Sequence, residues 1–136
     1  MKLTWLRYLL VLDAALLFLL GGALIFVPRQ VEVAFGFKDL PQGVSYMLGL
    51  WGCVFITMGA GYVVAAGDPV RHRIWVQVGI ARGTLEFLLG LLYLQRGIVS
   101  WQQAGFGLIA AAIITIAYIL LYPRPSLPRS NAATTV

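Results

Sequence analysis

The amino-acid sequence predicts an all-α, polytopic membrane protein folded as a bundle of four transmembrane helices. The first observation is composition: 60% of the residues are apolar and 11% are charged, whereas soluble domains carry about 25% charged residues. The second is the mean hydropathy of +0.87. The third is the presence of four apolar segments that each approach the roughly 20 residues needed to cross a bilayer. A chain of 136 residues leaves no room for a separate soluble catalytic domain.

The four apolar segments predict the spans and the domain boundary. The predicted spans are about 6–27, 46–66, 74–94 and 102–121. A proline or glycine follows each of them closely, which is typical of a helix end. Residues 1–122 therefore form one predicted transmembrane domain. The Pro- and Ser-rich segment 123–136 is predicted to be a disordered cytoplasmic tail, because it has too few apolar residues to bury a core.

The first span resembles a secretory signal in having basic residues, Lys2 and Arg7, close to its start. Its apolar run is longer than the about 7–15 residues of a signal peptide, and no A-x-A-like site follows it. We therefore expect it to be retained as a span.

The longest connection between spans is the segment 28–45, which allows two interpretations. Val31, Val33, Phe35 and Phe37 alternate with smaller or more polar residues. That alternation is compatible with a short strand-like or helical flap on the outer membrane surface. We favour the simpler interpretation, a loop that shields the ends of the helices.

The distribution of Lys and Arg predicts the orientation in the membrane. Six lie on the side of both termini: Lys2, Arg7, Arg71, Arg73, Arg124 and Arg129. Three lie on the other side: Arg29, Lys38 and Arg96. The positive-inside rule then places both termini in the cytoplasm. Aromatic residues predict a cytoplasmic belt of Trp5, Tyr8, Tyr62, Trp75, Tyr118 and Tyr122, and an outer belt of Tyr46, Tyr93 and Trp101.

Three ionisable residues, Asp13, Arg82 and Glu86, fall inside predicted spans. A charge at the bilayer centre costs at least about 2.5–3.5 kcal/mol, so we expect these side chains to face the bundle and to pair. Arg82 and Glu86 are one helical turn apart and share a face. Asp13 and Arg82 both lie roughly 10–12 Å from the cytoplasmic belt. The matched depth predicts a contact between the first and third spans.

This intramembrane charge cluster has a structural and a functional interpretation. As structure, it is an ion-pair network that sets the register of the helices. As function, it is a proton relay or a polar pocket for a small ligand or a quinone head group. The sequence favours the structural interpretation without deciding between them.

Small residues predict the faces along which the helices pack. The stripe on the third span contains Gly79, Gly83 and Gly90, and the stripe on the second contains Gly49, Gly52 and Cys53. The fourth span has Gly107, Ala111 and Thr115 at four-residue steps. Small side chains let helix backbones approach closely in lipid. Cys53, the one cysteine, has no partner for a disulfide and is interpreted as a packing residue.

The sequence shows no signature of a metal or haem site. No span contains a histidine, so the axial ligands of a transmembrane haem are missing. The short loop with Arg71, His72 and Arg73 is interpreted as a basic contact to lipid phosphates. The charges lie at the ends of spans, which favours a membrane surface over nucleic acid as the partner of this basic chain.

The order of these features resembles that of small four-span bacterial membrane proteins of the DoxX-like group, which includes the BphX-like families. The resemblance covers roughly residues 6–122. It is carried by Gly21-Gly22 through Val27-Pro28, by Ala-Phe-Gly-Phe at 34–37, and by the segment 65–73 that leads into the third span. It implies a four-helix bundle in the bacterial cytoplasmic membrane. Some members of the wider group are linked with membrane oxidoreductases that pass electrons to quinone, but no catalytic residue is carried over.

Three functions are consistent with the sequence. The favoured one is a non-enzymatic accessory or scaffold subunit without a cofactor, which associates with itself or with other membrane subunits. The second is a small proton-coupled transporter that works as a dimer. The third is a quinone- or lipid-binding subunit of a membrane oxidoreductase. A pairing of Asp13 with Arg82 weighs against the transporter, because it holds the carboxylate ionised.

Overall fold

The computed structural model describes residues 1–37 and 40–123, and this part of the chain contains α-helices and no strand. The helices are α1 (Lys2–Phe26), α2 (Pro28–Ala34), α3 (Gln42–Gly67), α4 (Arg73–Gln95) and α5 (Trp101–Leu121). Four of them, α1, α3, α4 and α5, are long and apolar enough to cross a membrane. The predicted fold class, an all-α bundle with four membrane-length helices, is confirmed. The predicted disordered tail lies outside the described residues except for Pro123.

The segment after α1 is helical where we favoured a plain loop. Pro28 occupies the first turn of α2, where its fixed φ and missing N–H do not weaken a helix. The favoured interpretation is therefore wrong for Pro28–Ala34, and the helical flap describes this segment better. The helix ends before Gly36, whose φ of 77° suits a glycine.

Two helix pairs make up the bundle: α1 packs closely on α3, and α4 packs closely on α5. In the first pair, Gly21 and Gly52 bring the backbones into contact. A Cβ on Gly52 would lie 2.6 Å from the carbonyl oxygen of Gly21. In the second pair, Gly79, Gly83 and Gly90 face Tyr118, Thr115 and Leu108 of α5. Close backbone approach through glycine is the packing mode expected in lipid.

The two pairs join in the half of the bundle that carries Met1 and Pro123, here called the terminal half. Its core contains eight buried residues: Leu6, Leu10, Ala14, Leu17, Tyr62, Ala65, Val76 and Tyr118. The ring of Tyr62 meets that of Trp75 edge to face, with centroids 6.1 Å apart, a favourable aromatic geometry. The assignment of Tyr62 and Tyr118 to an interfacial belt is therefore wrong, because both are 0% exposed.

Short connections hold the helix ends. The backbone N–H of Arg71 donates to Asp68 Oδ1 at 3.1 Å in the turn between α3 and α4. At the start of α5 the backbone N–H of Ser100 donates to Gln103 Oε1 at 2.9 Å, as the third helical residue does in a capping box. Lys2 and Tyr122 line one cavity at the same end of the bundle, so the two described ends of the chain share one side.

Candidate ligand cleft and its charge cluster

Asp13 lies at the centre of the bundle and is 2% exposed. Nη2 of Arg82 donates to its Oδ1 at 3.0 Å and to its Oδ2 at 3.2 Å. The hydroxyl of Tyr118 donates to Oδ2 at 2.9 Å. One carboxylate on α1 is thereby bonded to α4 and to α5, and its buried charge is both paired and hydrogen-bonded.

The local sequence places Asp13 on the inner face of α1. Leu6, Leu10, Asp13 and Leu17 are all buried, and their spacing of three or four residues is that of one helix face. Helix α1 contacts α3 and α5, and α4 contacts the same two helices. Helices α1 and α4 therefore lie diagonally opposite each other in the bundle. The long side chain of Arg82 crosses the interior to reach Asp13.

Two tyrosines surround the guanidinium of Arg82. Its Cζ lies 5.6 Å from the centroid of the Tyr62 ring, within the range of a cation–π contact. Gly79, one turn before Arg82, makes space for both rings. A Cβ on Gly79 would lie 2.9 Å from Cε2 of Tyr118 and 3.3 Å from the hydroxyl of Tyr62. A glycine at this position therefore allows both rings to pack beside α4.

Glu86 is attached to the cluster more loosely than Asp13. Its Oε1 lies 3.6 Å from Nε of Arg82, and its side chain is 47% exposed. This distance makes an ion pair but exceeds that of a hydrogen bond. Within the described residues, Nε and Nη1 of Arg82 have no hydrogen-bond partner, and the same holds for the hydroxyls of Tyr62 and Thr115. Buried groups of this kind normally find partners, so the cluster has unused hydrogen-bonding capacity.

A cavity of about 460 Å³ begins at this cluster and extends away from the terminal half. Its polar end holds Asp13, Arg82 and Glu86. Its walls are apolar and come from α1, α3, α4 and α5, with Phe35 following α2: Leu16, Leu17, Leu19, Leu20, Phe35, Phe55, Gly83, Phe106, Gly107, Ala110, Ala111 and Ile114. We call this cavity the cleft. Its size lies within the range of small-molecule sites, about 300–1,000 Å³.

The cleft exists because the two helix pairs touch less in this half than in the terminal half. Leu16, Leu19 and Phe106 border it and are themselves exposed. Since these residues lie within membrane-length helices, the cleft faces the hydrocarbon region.

A second apolar cavity, of about 380 Å³, lies beneath α2. Leu20 and Phe35 line both cavities, so the two are neighbours separated by these side chains. Glu32 borders the second cavity, but its Oε1 accepts a hydrogen bond of 3.2 Å from Ser45 on α3. The amide of Gln103 also donates to the carbonyl oxygen of Gly36 at 3.3 Å. These two bonds hold the α2 segment over the cavity.

The predicted packing residues divide into two groups. Gly52, Gly79, Gly83 and Gly90 contact another helix. Cys53 is exposed, and a Cβ on Gly49 would meet nothing within 4 Å. Within the single chain the packing role predicted for Gly49 and Cys53 is wrong, because α3 turns Gly52 rather than these residues toward α1. Gly107 likewise borders open space, in the cleft.

The basic residues of the loop between α3 and α4 lie at the terminal end of the bundle. Arg71 and Arg73 are exposed and His72 is half-buried. The side chains of the two arginines are therefore accessible for contact with lipid phosphates. Among residues 1–37 and 40–123, no group of three or more His, Cys, Asp or Glu is arranged to hold a metal ion.

Tyr118 and Tyr62 are the members of the site that the sequence analysis did not assign to it. Ala111, Thr115 and Tyr118 are all buried, so continuing the small-residue stripe by three positions reaches Tyr118. On α3, Gly59, Tyr62 and Ala65 are buried at the same spacing. The helical spacing therefore indicates that both tyrosines face the bundle. The preference of tyrosine for membrane interfaces instead favours the belt to which the sequence analysis assigned them.

The fold and the buried charge cluster together define an integral membrane protein with four apolar helices in contact with the lipid bilayer. Comparison with protein-family models, with curated proteins and with solved structures finds no match for this chain.

Proposed function

We propose that this chain is a non-enzymatic accessory subunit that binds a membrane-soluble amphiphile in the cleft. It works within a larger membrane complex or as its own oligomer. The observation that carries the proposal is one cavity that combines apolar walls with a charged end formed by Asp13, Arg82 and Glu86. Ligand sites typically combine apolar walls with a few placed polar groups in this way.

The geometry of Asp13 favours binding over catalysis. Both of its oxygens accept hydrogen bonds, and it is 2% exposed. Asp13 holds Arg82 at the edge of the cleft, where Arg82 and Glu86 contact the ligand.

The outward face of α3 supports association with another subunit or a second copy. Gly49 has open space around it, and Cys53 and Ala60 are exposed on the lipid side. A face of small residues lets another helix approach closely in a bilayer.

Co-purification with a cavity-filling variant tests the proposal. A Cβ on Gly107 would meet nothing within 4 Å, although this residue lines the cleft. Gly107→Leu therefore places an apolar side chain at the wall of the cleft, with open space around its Cβ. Gly22→Leu is the matched control, because Gly22 on α1 is equally unobstructed and does not line the cleft.

We expect mass spectrometry to find an amphiphile bound to the protein and to Gly22→Leu in mild detergent, but not to Gly107→Leu. Equal amounts in both variants would place the amphiphile elsewhere and contradict the proposal. A quinone in the extract would favour a subunit of a redox enzyme, the alternative that the DoxX-like resemblance supports. A phospholipid or neutral lipid would favour a subunit with no redox role.

The proton-coupled transporter remains a second candidate because Glu86 is a half-exposed carboxylate in the cleft. Carboxylates of this kind carry protons in membrane transporters. If transport is the function, Glu86→Gln abolishes proton flux in reconstituted vesicles while leaving the fold intact. Equal flux in vesicles with the native protein and with Glu86→Gln would remove this candidate.

A further inference from the structure

We infer that the ligand of the cleft is an amphiphile with a single positive charge in its head group, which pairs with the carboxylate of Glu86. This inference rests on the proposed function and specifies the chemistry of the ligand. Among the described residues that line the cleft, the charged side chains are Asp13, Arg82 and Glu86. When all three are ionised, two negative charges meet one positive charge, so the polar end of the cleft has a formal charge of −1.

The positive charge of Arg82 is already paired with Asp13. Its Nη2 donates to both oxygens of that carboxylate, at 3.0 and 3.2 Å. Its Nε and Nη1 are fully buried, so a head group in the cleft cannot accept a hydrogen bond from them. Asp13 is itself 2% exposed, and its Oδ2 also accepts a hydrogen bond from Tyr118. The Asp13–Arg82 pair therefore offers a ligand neither an accessible donor nor an accessible carboxylate.

Glu86 is the charged group that the cleft presents to a ligand. Its side chain is 47% exposed, and its Oε1 lies 3.6 Å from Nε of Arg82, beyond the distance of a hydrogen bond. One guanidinium cannot balance two carboxylates, and Arg82 bonds Asp13 more closely than it approaches Glu86. The unbalanced negative charge of the cluster therefore lies on the carboxylate that a ligand can reach.

Glu86 also lies deep within a membrane-length helix. It is 13 residues after Arg73 and 9 before Gln95, the two ends of α4. At about 1.5 Å per residue, its Cα is roughly 20 Å from one end of the helix and roughly 14 Å from the other. A charge at this depth is costly unless it is paired. Folding has already removed Glu86 from bulk water, so an entering cation gains the ion pair without having to desolvate the carboxylate.

The charge of the cluster distinguishes three classes of head group. A phosphate or a fatty-acid carboxylate is repelled by a net charge of the same sign in surroundings of low dielectric constant. A neutral head group leaves the carboxylate of Glu86 without a counter-ion. A head group with one positive charge brings the formal charge of the cluster to zero. Charge complementarity therefore favours a monocation.

The rest of the ligand is apolar and elongated. From the cluster, the cleft extends along α1 and α5 to Phe35, and the second cavity continues beneath α2. Among the described residues that border the second cavity, Glu32 is the charged one, and its carboxylate is bonded to Ser45. A hydrocarbon tail whose cationic head group lies at Glu86 therefore passes Phe35 and ends under α2.

Photo-crosslinking in nanodiscs of zwitterionic lipid tests the charge of the head group. The probes are a long-chain alkyltrimethylammonium, its uncharged analogue with a tert-butyl group in place of the trimethylammonium, and the matching fatty acid, each with a diazirine in the chain. The first two probes have the same shape, so the difference between them measures the effect of charge. At equal mole fractions in the bilayer, we expect the ammonium to bind about tenfold more tightly than the tert-butyl analogue. The fatty acid should bind less tightly than either.

Two carboxylate variants connect this preference to one residue. Glu86→Gln removes the charge and keeps the size of the side chain, so it should bind the ammonium and the tert-butyl analogue equally. Glu32→Gln is the matched control and should retain the preference, because Glu32 borders the second cavity rather than the polar end of the cleft. Because Glu86 is half-exposed, we expect Glu86→Gln to fold, which its thermal unfolding will verify. The comparison of probes on the native protein does not depend on any variant.

The outcomes separate this inference from the proposed function. Equal binding of the ammonium and the tert-butyl analogue, lost in Gly107→Leu, would overturn the cationic head group and leave the cleft as a ligand site. Tighter binding of the fatty acid than of the ammonium would do the same. Loss of the preference in Glu32→Gln but not in Glu86→Gln would place the cation under α2 and overturn the inference. Crosslinking of every probe at the level found in Gly107→Leu would overturn both the inference and the proposed function.

Discussion

Asp13 on the first membrane-length helix and Tyr118 on the last are joined by a hydrogen bond of 2.9 Å. Arg82 bonds the same carboxylate at 3.0 Å. The hydrogen bond connects the α1–α3 pair to the α4–α5 pair at the closed end of the cleft. Asp13 therefore has a structural role, although it also borders the cleft.

Removing the hydroxyl of Tyr118 should weaken the junction between the helix pairs. Tyr118→Phe deletes a hydrogen bond to a charged acceptor, so we expect a loss of about 1.5–3 kcal/mol in the free energy of unfolding. Denaturant unfolding in detergent micelles measures this loss. Tyr122→Phe is the control, since its hydroxyl bonds Gln77 on the exposed surface and its loss should matter less. A larger loss of stability in Tyr122→Phe than in Tyr118→Phe would contradict the role of Tyr118 in joining the two helix pairs.

Removing Arg82 should leave Asp13 buried and unpaired. Arg82→Leu should cost about 3–5 kcal/mol of stability, the range found when one partner of a buried ion pair is removed. The double variant Asp13→Asn with Arg82→Gln should recover part of this loss, because both side chains are neutral and still form hydrogen bonds. Thermal unfolding of the purified variants gives the comparison. A double variant no more stable than Arg82→Leu would show that the charges are not coupled.

Gly83 on α4 should not tolerate a side chain. A Cβ at this position would collide with Oγ1 of Thr115 and lie 3.3 Å from the carbonyl oxygen of Ala111. We expect Gly83→Leu to lower the yield of folded protein through overpacking, typically about 1–3 kcal/mol or more. Leu88→Ala, at a position 55% exposed, should have little effect. Similar recoveries of the two variants by size-exclusion chromatography would show that the packed face is wrongly assigned.

The proposed orientation places both termini in the cytoplasm. Cys53 is first replaced by alanine, and a single cysteine is then introduced by Ser130→Cys in the tail or by Gln30→Cys in α2, where Gln30 is exposed. A membrane-impermeant maleimide applied to intact cells should label the cysteine at 30 and spare that at 130. The reverse pattern would mean that the protein is inserted with the opposite orientation.

The sequence by itself determined the class and the number of membrane-length helices. Length and hydropathy are local properties of a segment, and the requirement to satisfy backbone hydrogen bonds in lipid leaves a helix as the conformation of each apolar run. The cost of buried charge likewise made an inward-facing cluster of Asp13, Arg82 and Glu86 predictable, and their depths followed from counting residues along the helices.

Only the tertiary structure decided which apolar face meets another helix and which meets lipid. Lipid is as apolar as a protein core, so hydropathy does not distinguish the buried Gly52 from the exposed Cys53 beside it. For the same reason the sequence does not show that Tyr62 and Tyr118 are buried. Their amphipathic rings suit a membrane interface as well as a hydrogen-bonded core. The cleft depends on how far α1 and α5 separate beyond the charge cluster. That separation results from the packing of all four helices together, so no single segment specifies it.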